Sequence, residues 1–387
     1  MIYLDSAATT PVDPDVYKAI QPYFCEQFGN PSSLHSFGRK TRQAIEKARK
    51  QVSDCLGCES SQIFFTGSAT ESDNWAIQMM CKYLDDTGDS RKTLLYLPIE
   101  HKAILNSLPE YSLPLFVNHN GVATLDVDKK AIEKTIGVPI AISCMWISNE
   151  IGTIQPIKEL SDFCYKHKIP LHVDATQAIG KIPINLEEYK GITTLAFSGH
   201  KINSCKGAGA LIIRDPKVNY VKPFIHGGGQ EHGLRAGTEN VPAIVGLGVA
   251  MEKIANKDFD NTHVQEMHDF LLCALSEIEC VRFNGEGEYH SPYYLSVSFK
   301  GIEGESLLLS LDRRGIAVSA GSACNSGSLE PSHVLKAIGV PDNYIRGTIR
   351  LTFSEQNTMQ ECEYVAQTIK EEVAKLRSIS PSWKGSE

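Results

Sequence analysis

Short apolar runs alternate with longer segments of helical periodicity along most of the chain. The runs have few polar residues between apolar ones, which is typical of strands buried on both faces of a parallel sheet. We predict such strands at Ile63–Thr66, Thr93–Leu97, Ile140–Ile147, Leu171–Val173, Thr194–Phe197 and Ala210–Ile213. Strands that alternate with helices in this way predict an α/β fold with a largely parallel sheet.

Two amphipathic helices are predicted from apolar residues at helical spacing, over 41–56 and 365–376. After about Lys257 the pattern changes to a helix at His263–Ile278 followed by strands near 294–299 and 349–353. We therefore predict a large domain over 13–257 and a smaller α+β domain over 258–387. The segment 1–12 is expected to pack on the smaller domain.

Composition narrows the class of protein. A chain of 387 residues with 42% hydrophobic and 22% charged residues can bury a sizeable core. Its net charge of -8 gives no overall reason to bind nucleic acid or an anionic membrane. No apolar run approaches the roughly 20 residues of a membrane-spanning helix, and the first residues do not resemble a secretory signal. We expect a cytoplasmic protein without direct nucleic-acid or membrane partners.

Eleven cysteines are scattered without a repeated spacing, which does not resemble a disulfide framework and fits a reducing compartment. Cys55 and Cys58 form a C-x-x-C pair, but no second pair completes a zinc site. We interpret them as two ordinary thiols and predict no metal site.

The segment Phe64–Asn74 runs from a strand through a turn of small residues into a helix predicted at Trp75–Leu84. Backbone N–H groups and hydroxyls at such a helix start favour a phosphate. The same pattern also fits a plain capped helix, so it does not identify a phosphate site alone.

Two charged residues follow neighbouring strands. Asp174 ends one apolar strand, and Lys201 follows the next strand 27 residues later. A lysine can form a Schiff base with an aldehyde cofactor, while a carboxylate can keep that cofactor's ring nitrogen protonated. Asp174 alone also fits a helix N-cap, and Lys206 is a competing lysine. The order of phosphate turn, acid and lysine is what a pyridoxal-phosphate site requires.

Cys324 lies in a glycine- and serine-rich stretch, Val318–Ser328. Such a composition predicts an exposed loop, where a nucleophilic thiol could reach a substrate and deliver its product. An incidental surface cysteine is the alternative.

These blocks together resemble the NifS/IscS branch of the cysteine desulfurases, among the class-V aminotransferase-like, fold-type I pyridoxal-phosphate enzymes. The resemblance covers the chain nearly end to end. It rests on Tyr3–Pro11, 29–33, Ala69–Asn74, 100–101, 149–153, His172–Gln177, Ser198–Lys201, 227–231, 237–240 and Gly321–Leu335. It implies a mostly parallel seven-stranded sheet, a smaller C-terminal domain and a homodimer.

The resemblance also implies roles for individual residues. Lys201 would hold pyridoxal 5'-phosphate, Asp174 would pair with its ring nitrogen, Gln177 would bond its phenolic oxygen, and His101 would stack on the ring and move protons. The phosphate would be bound by residues of the helix start and the lysine turn, with one residue from a second subunit: Ala69, Thr70, Ser198, His200 and, across the dimer, Thr238.

For the substrate, L-cysteine, the resemblance implies that Asn149 and Arg350 hold the carboxylate. Cys324 would take the sulfur as a persulfide, alanine would leave, and the long loop over 322–333 would carry the sulfur to an acceptor protein. That acceptor could serve iron–sulfur assembly or the thio-modification of tRNA or DNA. A selenocysteine lyase, an aminotransferase and a non-catalytic scaffold of a sulfur-transfer complex remain alternatives.

Two positions depart from the family pattern. Asn203-Ser204-Cys205 replaces an aromatic-Gly-Pro-like run after Lys201, and His232 stands where arginine is common. The first puts the rigidity of the lysine turn in doubt. The second removes a fixed positive charge.

Overall fold

The computed structural model describes residues 1–125, 129–130, 132, 137–320, 331–381, 383 and 385. Its strands are β1 Ile2–Tyr3, β2 Ile63–Thr66, β3 Thr93–Tyr96, β4 Ser112–Pro114, β5 Ile140–Ser143, β6 Leu171–Asp174, β7 Ile192–Ser198, β8 Gly209–Ile213, β9 Val281–Asn284, β10 Tyr294–Phe299, β11 Ile316–Ala317, β12 Ser319–Ala320 and β13 Thr348–Thr352.

Helices separate most of these strands. They are α1 Pro14–Ile20, α2 Pro22–Cys25, α3 Ser36–Leu56, α4 Ala69–Asp86, α5 Lys102–Leu105, α6 Ile157–His167, α7 Val241–Ala255, α8 Thr262–Ser276, α9 Gly304–Arg313, α10 His333–Ala337, α11 Asp342–Ile345 and α12 Met359–Ile379. None of the helices in the described part of the chain is both long and apolar enough to cross a membrane.

The larger sheet confirms the predicted α/β fold. Among the described residues it has seven strands in the order β2-β8-β7-β6-β5-β3-β4. Neighbouring strands run parallel from β7 to β4, and β8 is antiparallel to both of its neighbours. Every residue of β2, β5, β6 and β8 is buried, which explains why these strands appear in the sequence as continuous apolar runs.

Several element boundaries differ from the prediction, and two of these differences lie near the site. The strand predicted at Ile140–Ile147 ends at Ser143, although the apolar residues after it stay buried and their backbone still bonds to β6. The helix predicted from Trp75 begins at Ala69, because its polar first turn carries a cap from Ser68 rather than an apolar pattern.

A smaller antiparallel sheet, in the order β12-β13-β10-β9, lies in the C-terminal part of the chain. In the N-terminal segment, β1 pairs with β11 in a separate two-stranded sheet. The next residues bond to the smaller sheet, where Thr352 N donates to Leu4 O at 2.8 Å. Further along, Thr10 N donates to His200 O at 2.9 Å. The first ten residues therefore connect the smaller sheet to the turn that carries Lys201. The domain limits themselves stay a prediction.

Candidate active site

A cavity of about 300 Å³ lies where several parallel strands of the larger sheet end. Open α/β sheets commonly bind ligands at this edge. Most of the side chains predicted for the site line this one cavity: Ala69, Thr70, His101, Asn149, Asp174, Gln177, Ser198, His200, Lys201 and Arg350.

Lys201 closes a short 3-10 turn, Gly199–Lys201, directly after β7. Its Nζ donates to the carbonyl oxygens of Ala7 at 2.5 Å and Ala8 at 2.6 Å. Lys206 does not line this cavity. The N-terminal segment thus holds the lysine amine at the cavity wall, and the geometry favours Lys201 over Lys206.

The turn after Lys201 is held in place despite its unusual sequence. Asn203 adopts a left-handed backbone conformation with φ 61°. Its backbone N–H donates to Thr10 Oγ1 at 2.8 Å, and its side-chain amide donates to Pro11 O at 3.1 Å. Hydrogen bonds to the N-terminal segment therefore supply the restraint that a Gly-Pro pair would otherwise give.

Asp174 is the last residue of β6 and is buried at the cavity wall. Its Oδ1 accepts a hydrogen bond from Thr176 N at 2.9 Å. A turn follows it instead of a helix, so the N-cap alternative is wrong. Two more buried carboxyls lie nearby: burial and the charge of Asp174 raise the pKa values of Asp73 and Glu100 well above their usual range. Asp174 lies at the end of its strand and lines the cavity, where a carboxyl can face a cationic ring nitrogen.

His172 precedes this acid on the same face of β6. Its Nδ1 lies 2.9 Å from Thr194 Oγ1 and its Nε2 lies 3.3 Å from Asp73 Oδ1. Burial lowers the pKa of His172 to about 4, although Asp174 opposes that shift. The imidazole is therefore neutral at physiological pH.

The start of α4 also lines the cavity. Ser68 caps this helix by accepting from Glu71 N at 3.2 Å, and Ala69 and Thr70 follow in the first turn. Such a helix start offers N–H groups to an anion. His200 lies nearby with its Nδ1 3.2 Å from Thr9 Oγ1. Burial, followed by Lys201 and Lys206, lowers the pKa of His200 to about 4, so this imidazole can bind an anionic oxygen only as a neutral hydrogen-bond donor.

Arg350 extends into the cavity from β13 and is 2% exposed. Its Nη2 donates to Asp5 Oδ1 at 2.8 Å, and its Nη1 donates to Asn149 O at 2.6 Å. Within the described part of the chain, its Nε has no hydrogen-bond partner although it is buried. A buried guanidinium with an unused N–H is suited to a carboxylate.

His101 and Gln177 complete the cavity wall. His101 caps α5 and accepts from Ala103 N through Nδ1 at 3.1 Å, so Nε2 carries the ring proton when the imidazole is neutral. Gln177 donates from Nε2 to Ala7 O at 3.0 Å and accepts at Oε1 from the Tyr294 hydroxyl at 2.5 Å.

Two predicted site residues are not among the described residues that line the cavity. Thr238 is exposed and does not line it, so its role across a dimer stays a prediction. Cys324 lies outside the described residues, as does most of the loop 322–333. The described residues on either side of 321–330 contact the site: Ser319 pairs with Arg350, and Ser332 Oγ donates to Glu150 at 2.5 Å.

Comparison with known proteins identifies the family. A model of the class-V aminotransferase family matches residues 2–365. The chain belongs to the class-V aminotransferase family. Its curated relatives include cysteine desulfurase IscS of Methanosarcina thermophila, 43% identical over 98% of this chain and 94% of that protein. Cysteine desulfurase IscS of Dictyoglomus turgidum is 42% identical over 99% and 98%.

Solved structures place the chain in the same part of the class-V aminotransferase family. A NifS-like protein has a TM-score of 0.85 and 36% identity, with 97% of this chain and 100% of that chain covered. A structure described as SspA in complex with cysteine has a TM-score of 0.77 and 34% identity, with 91% and 99% covered. This class-V aminotransferase is therefore of the NifS/IscS cysteine desulfurase type, and its fold is fold-type I.

Pyridoxal phosphate is the cofactor of this family, and the cavity fits it. An amine, a buried carboxylate and a helix start are arranged around one space of about 300 Å³. When bound, the cofactor supplies an electron sink for a substrate amino acid.

Three kinds of contact at the cavity were not predicted from the sequence. Asp73 faces the cavity because it follows Ala69 by four residues on a helix, a spacing that could have been recognised had the helix start been placed correctly. No residue spacing in the sequence indicates the other two kinds of contact, which involve the backbone carbonyls of Ala7 and Ala8 and the Tyr294 hydroxyl.

Proposed function

We propose that this chain removes sulfur from L-cysteine, releases L-alanine and holds the sulfur as a persulfide on Cys324 for delivery to an acceptor protein. The observation that carries the proposal is that the Lys201 amine and the buried Arg350 guanidinium line the same cavity. An amino acid bound between them would have its carboxylate at Arg350 and its amino group near Lys201.

The proposed reaction balances without a further reactant. The bond between Cβ and sulfur of free cysteine breaks, a bond between that sulfur and Cys324 Sγ forms, and Cβ takes up a proton to give alanine. The Cys324 proton ends on the terminal sulfur or in solvent. The thiolate is the reacting form of such a nucleophile.

Each side chain of the cavity has a part in this proposal. Asn149 and Arg350 orient the substrate carboxylate, and His101, protonated on Nε2, is placed to move a proton between substrate and solvent. Asp174 would face the ring nitrogen of the cofactor, and Gln177 would donate to its phenolic oxygen. The phosphate would be held by Ala69, Thr70, Ser198 and His200.

The described residues before and after 321–330 support the role of Cys324. Ser319 precedes that segment in the chain and pairs with Arg350, and Ser332 follows it and donates to Glu150. Since Glu150 is the neighbour of Asn149 in the chain, Ser319 and Ser332 both lie beside the residues proposed to hold the substrate carboxylate.

We further propose a cytoplasmic homodimer. Thr238 supports it, because this exposed residue would complete the phosphate site of a partner subunit. Iron–sulfur cluster assembly, tRNA thiolation and DNA phosphorothioation each require an acceptor of persulfide sulfur, and the IscS relatives favour the first.

The proposal is tested by following alanine and sulfide from L-cysteine in the presence of a thiol reductant. Wild type should give equal amounts of both products. Lys201→Ala and Cys324→Ala should each lose both, whereas the matched controls Lys206→Ala and Cys273→Ala should retain both, because neither control residue lines the cavity.

Other outcomes identify the alternatives. Alanine formation that survives in Cys324→Ala would overturn the persulfide role and favour a lyase. Turnover that requires a keto acid would indicate an aminotransferase. A wild-type protein that takes up no pyridoxal phosphate would indicate a scaffold.

A further inference from the structure

The amide group of Gln177 is fixed by three neighbours. Its Nε2 donates to the carbonyl oxygen of Ala7 at 3.0 Å. Its Oε1 accepts from the Tyr294 hydroxyl at 2.5 Å and from Lys181 Nζ at 3.4 Å. Gln177 is 5% exposed and lines the proposed cofactor cavity.

These partners decide which way the amide points. A backbone carbonyl can only accept a hydrogen bond, so the amino group of Gln177 must face Ala7. The oxygen must then face Tyr294 and Lys181. The amino group has two hydrogens, and Ala7 uses one of them. The second is left for an acceptor in the cavity.

Of the two donors to Gln177 Oε1, Tyr294 is the one whose protonation state stays the same over the physiological pH range. Burial raises the pKa of Tyr294 well above its usual value, so its hydroxyl keeps its proton at every physiological pH. Burial, together with Lys201 and Lys257, lowers the pKa of Lys181 to about 7, so this amine loses its fixed charge within the physiological range. Its contact is also the longer one.

Tyr294 reaches Gln177 from the smaller sheet. Ser296, two residues after Tyr294, pairs with Arg350 across β10 and β13. Residues two apart on a strand share a face, so Tyr294 and Arg350 point from the same face of the smaller sheet towards the cavity. Gly152 makes room for the tyrosine: a Cβ there would lie 2.5 Å from Tyr294 Cβ and 2.9 Å from its ring.

We propose that Tyr294 is a positioning residue that holds the Gln177 amide with its amino group towards the cavity, so that Gln177 donates to an anionic oxygen of the bound cofactor. This inference rests on the proposed function of the cavity and on the place of Gln177 in it. An amide turned the other way would present its oxygen to the anion and repel it.

The consequence is measurable in the cofactor itself. Donation to an ionised oxygen stabilises the anion, and its loss makes that oxygen take up a proton more readily. The pH at which the visible absorption band of the bound cofactor titrates should therefore rise in Tyr294→Phe, by about one unit. This variant removes only the hydroxyl and keeps the ring that packs against Gly152.

The matched control is Tyr293→Phe, the same change one residue earlier. The Tyr293 hydroxyl bonds to Asn261 Oδ1 and Glu355 Oε1, both at 2.9 Å, and Tyr293 does not line the 300 Å³ cavity. In Tyr293→Phe, the absorption band of the bound cofactor should titrate at the same pH as in wild type. Gln177→Ala should show the upward shift, and adding Tyr294→Phe to it should shift the titration no further.

An unchanged titration in Tyr294→Phe would overturn the inference, as would equal shifts from Tyr294→Phe in the wild-type and Gln177→Ala backgrounds. The spectra are recorded without substrate and compared at equal cofactor content. A wild-type protein that takes up no pyridoxal phosphate would instead contradict the proposed function, so the two failures are distinguishable.

Discussion

Loss of either partner of the buried ion pair between Arg49 and Glu231 should strongly destabilise the folded protein. The two guanidinium nitrogens lie 2.8 and 2.9 Å from the two carboxylate oxygens, and the side chains are 4% and 3% exposed. Both partners are also bonded to β2: Arg49 Nη1 donates to Ile63 O at 2.7 Å, and Phe65 N donates to Glu231 Oε2 at 2.9 Å.

Removal of one partner leaves the other buried without its main counter-charge, because Arg49 then keeps only a 3.3 Å contact with Glu46, whose side chain is 56% exposed. Such a loss costs about 3–5 kcal/mol. We expect Arg49→Met and Glu231→Gln each to lower the free energy of unfolding by an amount in this range. The double variant should be less destabilised than the sum, with a coupling of about 2 kcal/mol or more, because the second change removes the unpaired group left by the first. The free energy of unfolding of wild type, the two single variants and the double variant is measured by urea unfolding of the cofactor-loaded proteins, followed by circular dichroism and by tryptophan fluorescence.

Lys50→Met is the matched control. Lys50 is the next residue of α3 and forms an ion pair with Asp54 in which both side chains are more than half exposed. Exposed pairs of this kind contribute about 0.5 kcal/mol or less. Equal destabilisation by Arg49→Met and Lys50→Met, or strict additivity in the double variant, would refute the reasoning.

Two further predictions concern protonation. Burial lowers the pKa of His172 in the folded protein to about 4, so protonation of the unfolded chain should destabilise the fold as the pH falls from about 6.5 to 4, by about 3 kcal/mol in total. His172→Gln should therefore lose less stability over this pH range in acid unfolding curves. Identical curves for wild type and variant would contradict the lowered pKa. Burial raises the pKa values of the Cys55 and Cys58 thiols to about 12 and 11, so a thiolate-selective reagent near neutral pH should modify the exposed Cys25 and Cys273 before Cys55 and Cys58, as peptide mapping by mass spectrometry can show.

The parts of the site that follow strand ends could be predicted from the sequence. Asp174 and Lys201 each come directly after a buried apolar strand, and β6 and β7 are parallel neighbours. Parallel strands bring their carboxyl ends to one edge, so a local pattern was enough to place both residues in one cavity. The position of Arg350 followed only from family resemblance, because nothing in its strand distinguishes it from a structural arginine.

The contacts that orient these groups could not be predicted. Tyr294 and Gln177 are 117 residues apart, and the tyrosine lies in a strand whose apolar pattern fits simple burial. The carbonyl oxygens that hold Lys201 are backbone atoms, which leave no trace in residue type. Such contacts depend on how the smaller sheet and the N-terminal segment pack on the larger sheet, and periodicity within one element does not encode that packing.

The N-terminal segment connects residues of the two sheets at the cavity. Asp5 bonds to Arg350, and the carbonyl of Ala7 accepts from both Gln177 and Lys201. One short stretch of backbone therefore sets the positions of the proposed substrate-binding arginine, the proposed oxygen donor and the proposed cofactor lysine. Because these three groups share one support, a change that displaces residues 5–8 should disturb substrate binding and the titration of the cofactor together, whereas a change in β13 alone should affect the substrate first.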